Sequence, residues 1–164
     1  MKNYRDILEQ ARVFMNKKDY TKAIDLCTSV ILYNPDVIDG WRLRSQLYEL
    51  YCKYELAISD ISKTIEFGYE EPADYFRRGR YYLDIQEYKS AISDFTQVIF
   101  FSEQSENYYY YESAFFFRAE SLLRECRYEE ALMDCEQVSD NFSLYIRPNV
   151  RSIRDILTDI NNKK

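Results

Sequence analysis

The apolar residues between positions 54 and 65 lie on one stripe. Tyr54, Ala57, Ile58, Ile61 and Ile65 recur at steps of three and four, which places them on one face of an α-helix. Gly68 follows, and a glycine just past a periodic run is a helix stop. Trp41, Tyr48 and Leu50 belong to an earlier helix, and the polar break Cys52–Lys53 separates the two. The pattern is a helical hairpin, and it repeats. Tyr20 and Ala23, Tyr54 and Ala57, Tyr88 and Ala91, and Tyr128 and Ala131 succeed one another at offsets of 34, 34 and 40 residues. A fixed period of this length signals stacked hairpins rather than one globular core.

Six extra residues fall between the third and fourth hairpins, in Ser102–Glu112. The spacing predicts that the helix containing Phe115 starts about a turn early, with Ser105 as its N-cap and Glu106 in its first turn. Tyr108, Tyr109, Tyr110 and Tyr111 are consecutive, so they cannot all face inward on a helix. One or two are expected at the surface, as an aromatic edge suited to a partner. Beyond residue 139, Ile146, Val150, Ile153, Leu157 and Ile160 recur at helical spacing with Pro148 near the start. This predicts a final helix over about 147–161 that caps the array, with Arg151, Arg154, Asp155 and Asp159 on its polar face.

These residues resemble the tetratricopeptide repeat family over roughly residues 4–144. The family places a large residue early in each repeat, here Ile7, Trp41, Tyr75 and Phe115. Small residues follow at Ala11, Ser45, Gly79 and Ala119, and at the four alanines of the second helices. Further family positions hold Phe14, Tyr48, Tyr82 and Leu122, then Cys27, Ile61, Phe95 and Cys135, and then Val30, Thr64, Val98 and Val138. Small residues let the two helices of a hairpin approach, and large ones fill the space between hairpins. Pro35 matches the family's terminal proline in the first repeat only. The resemblance implies an all-α fold: a right-handed superhelical solenoid of four antiparallel helical hairpins and a capping helix. It forms a single domain over 1–164, with repeats at about 4–36, 38–70, 72–104 and 106–144. It also implies a protein-binding module without catalytic activity.

Arg44, Arg78 and Arg118 occupy one repeat position and Asp60, Asp94 and Asp134 another. In the first repeat both change together, to Gln10 and Leu26. The joint change predicts three intra-repeat Arg–carboxylate pairs, which removes these arginines from the candidate ligand contacts. By resemblance, a concave groove is lined by Arg5, Leu8, Arg12, Arg42, Gln46, Phe76, Arg80, Phe116 and Glu120, with Asp39 nearby. Guanidinium groups suit carboxylates and phenylalanines supply anchors, so an acidic or C-terminal peptide is the expected ligand. Arg12, Arg42 and Arg80 would be its charge partners, and Phe76 and Phe116 its anchors. Relatives that hold chaperone tails use a clamp of Lys and Asn on these helices. Arg12, Leu43, Ala73 and Arg77 stand at clamp positions here, which departs from that pattern.

Charge and composition narrow the partners. The 164-residue chain has net charge −6, which disfavours nucleic acid and suits a basic protein, as for a small inhibitor or immunity protein masking a basic toxin or nuclease. Self-association through the tyrosine edge or the last helix is a third reading. Histidine is absent and the three glycines are isolated, so neither a Ser-His-Asp or Cys-His arrangement nor a glycine-rich phosphate loop is present. Cys27, Cys52, Cys126 and Cys135 form no CxxC pair and read as small core residues; no metal or cofactor is expected. No apolar run approaches membrane-spanning length, and Met1–Asp6 lacks the apolar stretch of a secretory signal, so a cytoplasmic protein is expected.

Overall fold

The computed structural model describes residues 3–68 and 71–163, and the chain divides into two compact units, residues 1–70 and 71–164. Met1, Lys2 and the end of the second repeat at residues 69 and 70 lie outside the described residues.

The first unit holds two helical hairpins, α1 (Tyr4–Asn16) with α2 (Tyr20–Tyr33) and α3 (Ile38–Leu50) with α4 (Tyr54–Glu66). The second unit holds α5 (Pro72–Asp84) with α6 (Tyr88–Ser105) and α7 (Tyr111–Arg124) with α8 (Tyr128–Cys135). A strand pair, β1 (Ser143–Ile146) and β2 (Asn149–Ser152), and a last helix, α9 (Ile153–Asn161), complete it. Within each unit every helix of a hairpin packs on the next one in sequence.

The repeated tyrosine is the first residue of the second helix in all four hairpins. Each hairpin turns through one left-handed residue two positions before it: Lys18 (φ 60°), Cys52 (φ 55°), Gln86 (φ 65°) or Cys126 (φ 59°). The residue after it donates its amide to the carbonyl five back. These bonds are Asp19 to Phe14, Lys53 to Tyr48, Glu87 to Tyr82 and Arg127 to Leu122, all 2.8–2.9 Å. This is a Schellman closure, which satisfies carbonyls that a helix end leaves open. It fixes where each first helix stops and so where each tyrosine starts the next.

Ala23, Ala57, Ala91 and Ala131 are each 0% exposed, which is where close-packed helices require small side chains. In the first unit Ala23 sits among Leu8, Ala11, Cys27, Val30, Leu43 and Leu47. Ser45 exploits the close approach by donating its hydroxyl to the Ala57 carbonyl at 3.1 Å. The third hairpin shows why the small position varies. A Cβ added at Gly79 would stand 2.9 Å from Phe95 Cε1, and Phe95 is itself stacked on Phe117 at 5.5 Å. The bulky Phe95 therefore demands glycine across from it.

Three expectations are corrected. The inserted residues lengthen α6, which runs 18 residues to Ser105, and α7 begins only at Tyr111. Ser105 is not an N-cap: its hydroxyl donates to the Phe101 carbonyl at 2.7 Å inside α6. Phe101 against Tyr75 (5.6 Å) and buried Ser102 keep this extra turn packed, and Glu106 ends it in a left-handed conformation.

The last helix begins at Ile153 rather than near Pro148. Ser152 and Asp155 form a capping box that starts it there. Its buried stripe is Ile153, Ile156 and Ile160, whereas Val150 is 66% exposed. Residues 143–152 are not helical at all. Leu144-Tyr145-Ile146 and Val150 are strand formers, and Pro148, after a cis Arg147–Pro148 bond, lies in the two-residue turn that pairs them. Finally, Cys52 and Cys126 are exposed in the hairpin turns rather than in the core.

Candidate binding cleft

The three expected Arg–Asp pairs form. Arg44 donates Nε and Nη2 to Asp60 at 2.8 Å each, and Arg78 does the same to Asp94. Arg118 reaches Asp134 at 2.8 and 2.6 Å. Each guanidinium also lies over the large aromatic one helical turn back, at 5.2 Å for Trp41, 5.5 Å for Tyr75 and 5.1 Å for Phe115. Burial lifts the carboxyls of Asp60 and Asp94 above the ordinary aspartate range, against the opposing pull of the arginine hydrogen bonds. These are structural pairs spanning the second, third and fourth hairpins.

The expected groove residues separate by unit. In the first, Arg12 is exposed and lies 3.9 Å from Glu9, while Arg42 and Gln46 are half-buried on α3. In the second, α5 presents Phe76 and Arg80 to an open cleft of about 400 Å³. Phe76 is held edge-on against Phe117 (5.7 Å) and Phe95 (6.0 Å). Tyr110 lies 4.7 Å from the Phe76 ring, and Tyr109 packs edge-on to Tyr110 at 4.7 Å. Arg80 stands over the Phe117 ring at 5.9 Å. Ser113 completes the α7 side, and Leu144 and Tyr145 of β1 form the remaining wall.

The tyrosine run divides as expected. Tyr108 and Tyr109 are exposed, at 56% and 80%, and Tyr110 and Tyr111 are half-buried. Tyr111 donates to Glu103 at 3.1 Å, which ties the start of α7 to the end of α6 and positions Tyr109 and Tyr110 at the cleft mouth.

Phe116 and Glu120 do not line this cleft, contrary to expectation. Phe116 is 0% exposed and packs on Phe142 at 5.5 Å. Glu120 is also 0% exposed; it accepts from Arg124 (2.9 and 2.7 Å) and from Arg151 of β2 (3.0 Å). Arg151 continues to Asp159 of α9 at 2.8 Å. The strand pair and last helix cover the face of α7 that the repeat pattern assigns to the groove. The neighbouring Phe117, rather than Phe116, lines the cleft. Ser113 was legible from the same helical spacing as Phe76 and Arg80. Leu144 and Tyr145 were not, because one four-residue strand has no period that marks its partner.

The buried cysteines are chemically quiet: burial pushes the Cys27 and Cys135 thiols up to about 12. No described helix is long and apolar enough to cross a membrane.

No family model matches the chain, and no curated protein matches it. Solved structures do. The MamA protein is 16% identical over 82% of this chain and 70% of its own, with a TM-score of 0.73. The TPR2B domain of yeast Sti1, in its pHsp70 complex, is 17% identical over 74% of this chain and 97% of its own, with a TM-score of 0.67. The first TPR of Spaghetti (RPAP3), bound to the HSP90 peptide SRMEEVD, is 20% identical over 75% and 93%, with a TM-score of 0.65. At these identities the likeness is one of fold.

Proposed function

We propose that this chain, which has the fold of tetratricopeptide-repeat proteins, is a non-catalytic interaction module that takes a peptide segment of a protein partner. The observation that carries the reading is the second-unit cleft, where an aromatic floor of Phe76, Tyr110 and Phe117 lies beside the Arg80 guanidinium. Aromatic rings give large contact area at low entropic cost, and arginine gives charged, directional hydrogen bonds. Two proteins of the same fold were solved in a pHsp70 complex and with an HSP90 peptide, which supports a peptide as ligand. Arg12, Arg42 and Gln46 of the first unit are kept as a second, separable set of contacts.

The test is selection of peptides from a displayed random library against the full chain, followed by calorimetry on variants. Arg80→Ala and Tyr109→Ala are each expected to weaken the selected peptides about tenfold. Unchanged affinity in both would move the site elsewhere, and the Arg42→Ala plus Arg80→Ala variant would show whether the first unit contributes. An alternative reading, an acidic inhibitor masking a basic protein, is favoured only by the net charge of −6. It would show itself as an association rate that falls steeply with salt.

A further inference from the structure

We propose that the cleft ends on the open edge of strand β1, and that the partner segment binds as an added strand hydrogen-bonded to that edge. This rests on the reading of the cleft as a peptide site and specifies the form of the ligand. Successive residues of a strand point to opposite faces. Leu144 and Tyr145 nevertheless line the same cleft, and Tyr145 and Ile146 together line the small hollow beside it. A wall built from consecutive strand residues is the edge of a strand, not one of its faces. No residue of β2 contributes to either lining.

The register shows which backbone groups that edge offers. Ser143 faces Ser152 and Tyr145 faces Val150. The Ser152 amide donates to Asp155 Oδ2 at 2.8 Å within the capping box, which marks Ser143 and Ser152 as a pair without mutual hydrogen bonds. Antiparallel pairs alternate, so Tyr145 and Val150, two residues on, are of the same kind. The N–H and C=O of Ser143 and Tyr145 therefore point away from β2. Among the described residues the sheet has two strands, so nothing in it pairs that side of β1.

An extended segment laid along β1 finds two kinds of recognition. Its backbone pairs with Ser143 and Tyr145. Its side chains meet the ring surface of Phe76 and Phe117 and the cationic Arg80, with Arg147 beyond, 3.3 Å from Asp84. The fitting occupant is a partner protein's strand that alternates apolar or aromatic residues with carboxylates. Backbone pairing supplies affinity in such additions and side-chain pockets supply selectivity.

The probe is an acetylated, amidated eight-residue peptide alternating Phe or Val with Glu, titrated into the full chain. Two further versions carry N-methyl groups on alternate backbone nitrogens, one on each parity. A strand presents only every second amide to its neighbour, so one N-methylated set is expected to lose about tenfold in affinity while the other stays within about threefold. Tyr145→Val removes the ring from the cleft wall but keeps the outward amide, so it measures the side chain's share; Tyr145→Pro also removes that amide and is expected to bind about tenfold more weakly than Tyr145→Val. Ser143→Pro repeats the test at the next outward pair should Tyr145→Pro fail to fold.

Equal effects of the two methylated sets, or of Tyr145→Pro and Tyr145→Val, overturn strand addition. If Arg80→Ala and Tyr109→Ala still weaken the peptide in that case, the cleft stands as a peptide site by another mode. Failure of the unmodified peptide to bind near 1 mM overturns the proposal. So does a dimer, seen by sedimentation, that Tyr145→Pro dissolves while the peptide is ignored; the occupant would then be a second copy of β1.

Discussion

The first and third hairpins close in the same way without sharing the interaction that looks most specific. In the third, Arg78 and Asp94 form a bidentate pair, with side chains 17% and 4% exposed, beneath the Tyr75 ring. In the first, Gln10 and Leu26 stand at those positions, yet α1 and α2 meet over Ala11 and Ala23, both 0% exposed, with the same left-handed turn. Close approach at small residues is therefore what closes a hairpin. The ion pair is an addition whose worth lies in its completeness. Desolvation offsets most of the attraction between buried charges, and removal of one partner strands the other.

The largest effect expected from this comparison is that of Arg78→Ala. It leaves Asp94 buried and unpaired and is expected to lower stability by about 3–5 kcal/mol in denaturant unfolding. Arg78→Gln with Asp94→Leu, which installs the residues of the first hairpin, is expected to change stability by less than about 2 kcal/mol. A double variant as unstable as the single one would show that the third hairpin depends on its ion pair as the first does not.

Gly79→Ala comes next. The added methyl meets a Phe95 ring that is 0% exposed and stacked on Phe117, so the loss is expected to be about 1–2 kcal/mol despite alanine's better helix propensity. Phe95→Ile, the residue of the second hairpin at that position, is expected to relieve the crowding when combined with Gly79→Ala. Calorimetric melting of the two variants checks this.

The pH dependence is smaller. Burial raises the Asp94 carboxyl, so the folded chain takes up that proton at higher pH than the unfolded chain. Asp94 therefore favours folding most below the ordinary aspartate range, and this contribution is lost as pH rises through its raised value. The stability difference between the wild type and the Arg78→Gln/Asp94→Leu variant is expected to shift toward the wild type on acidification. A difference independent of pH between 3 and 7 would contradict the assignment.

The mildest test uses equivalent cysteines. Cys52 and Cys126 are exposed in the turns and are expected to react with a thiol reagent in the native protein. Cys27 and Cys135 are buried and are expected to react only on unfolding.

Where the sequence repeats, it was legible. Four in-phase tyrosine–alanine pairs locate each second helix, and the coupled change at Gln10 and Leu26 points to the Arg–Asp contacts that form. A period repeated four times averages out the exceptions at any one position. Outside the exposed turn cysteines Cys52 and Cys126, the departures fall where the repetition is interrupted or ends. Residues 143–152 carry apolar residues at spacings that a helix tolerates, and only the pairing of β1 with β2 shows them to be strands.

The sequence by itself determined the hairpins, because helix pairing depends on local period, turn and side-chain size, all written within about 34 residues. Tertiary structure alone decided the cleft. Its walls come from α5, α7, the loop between α6 and α7, and β1, which are distant in sequence. The burial of Phe116 and Glu120 follows from a strand and a helix that return to cover them through Phe142 and Arg151. A side chain's neighbours within a helix are fixed by spacing, but its exposure depends on whichever later segment folds back over it.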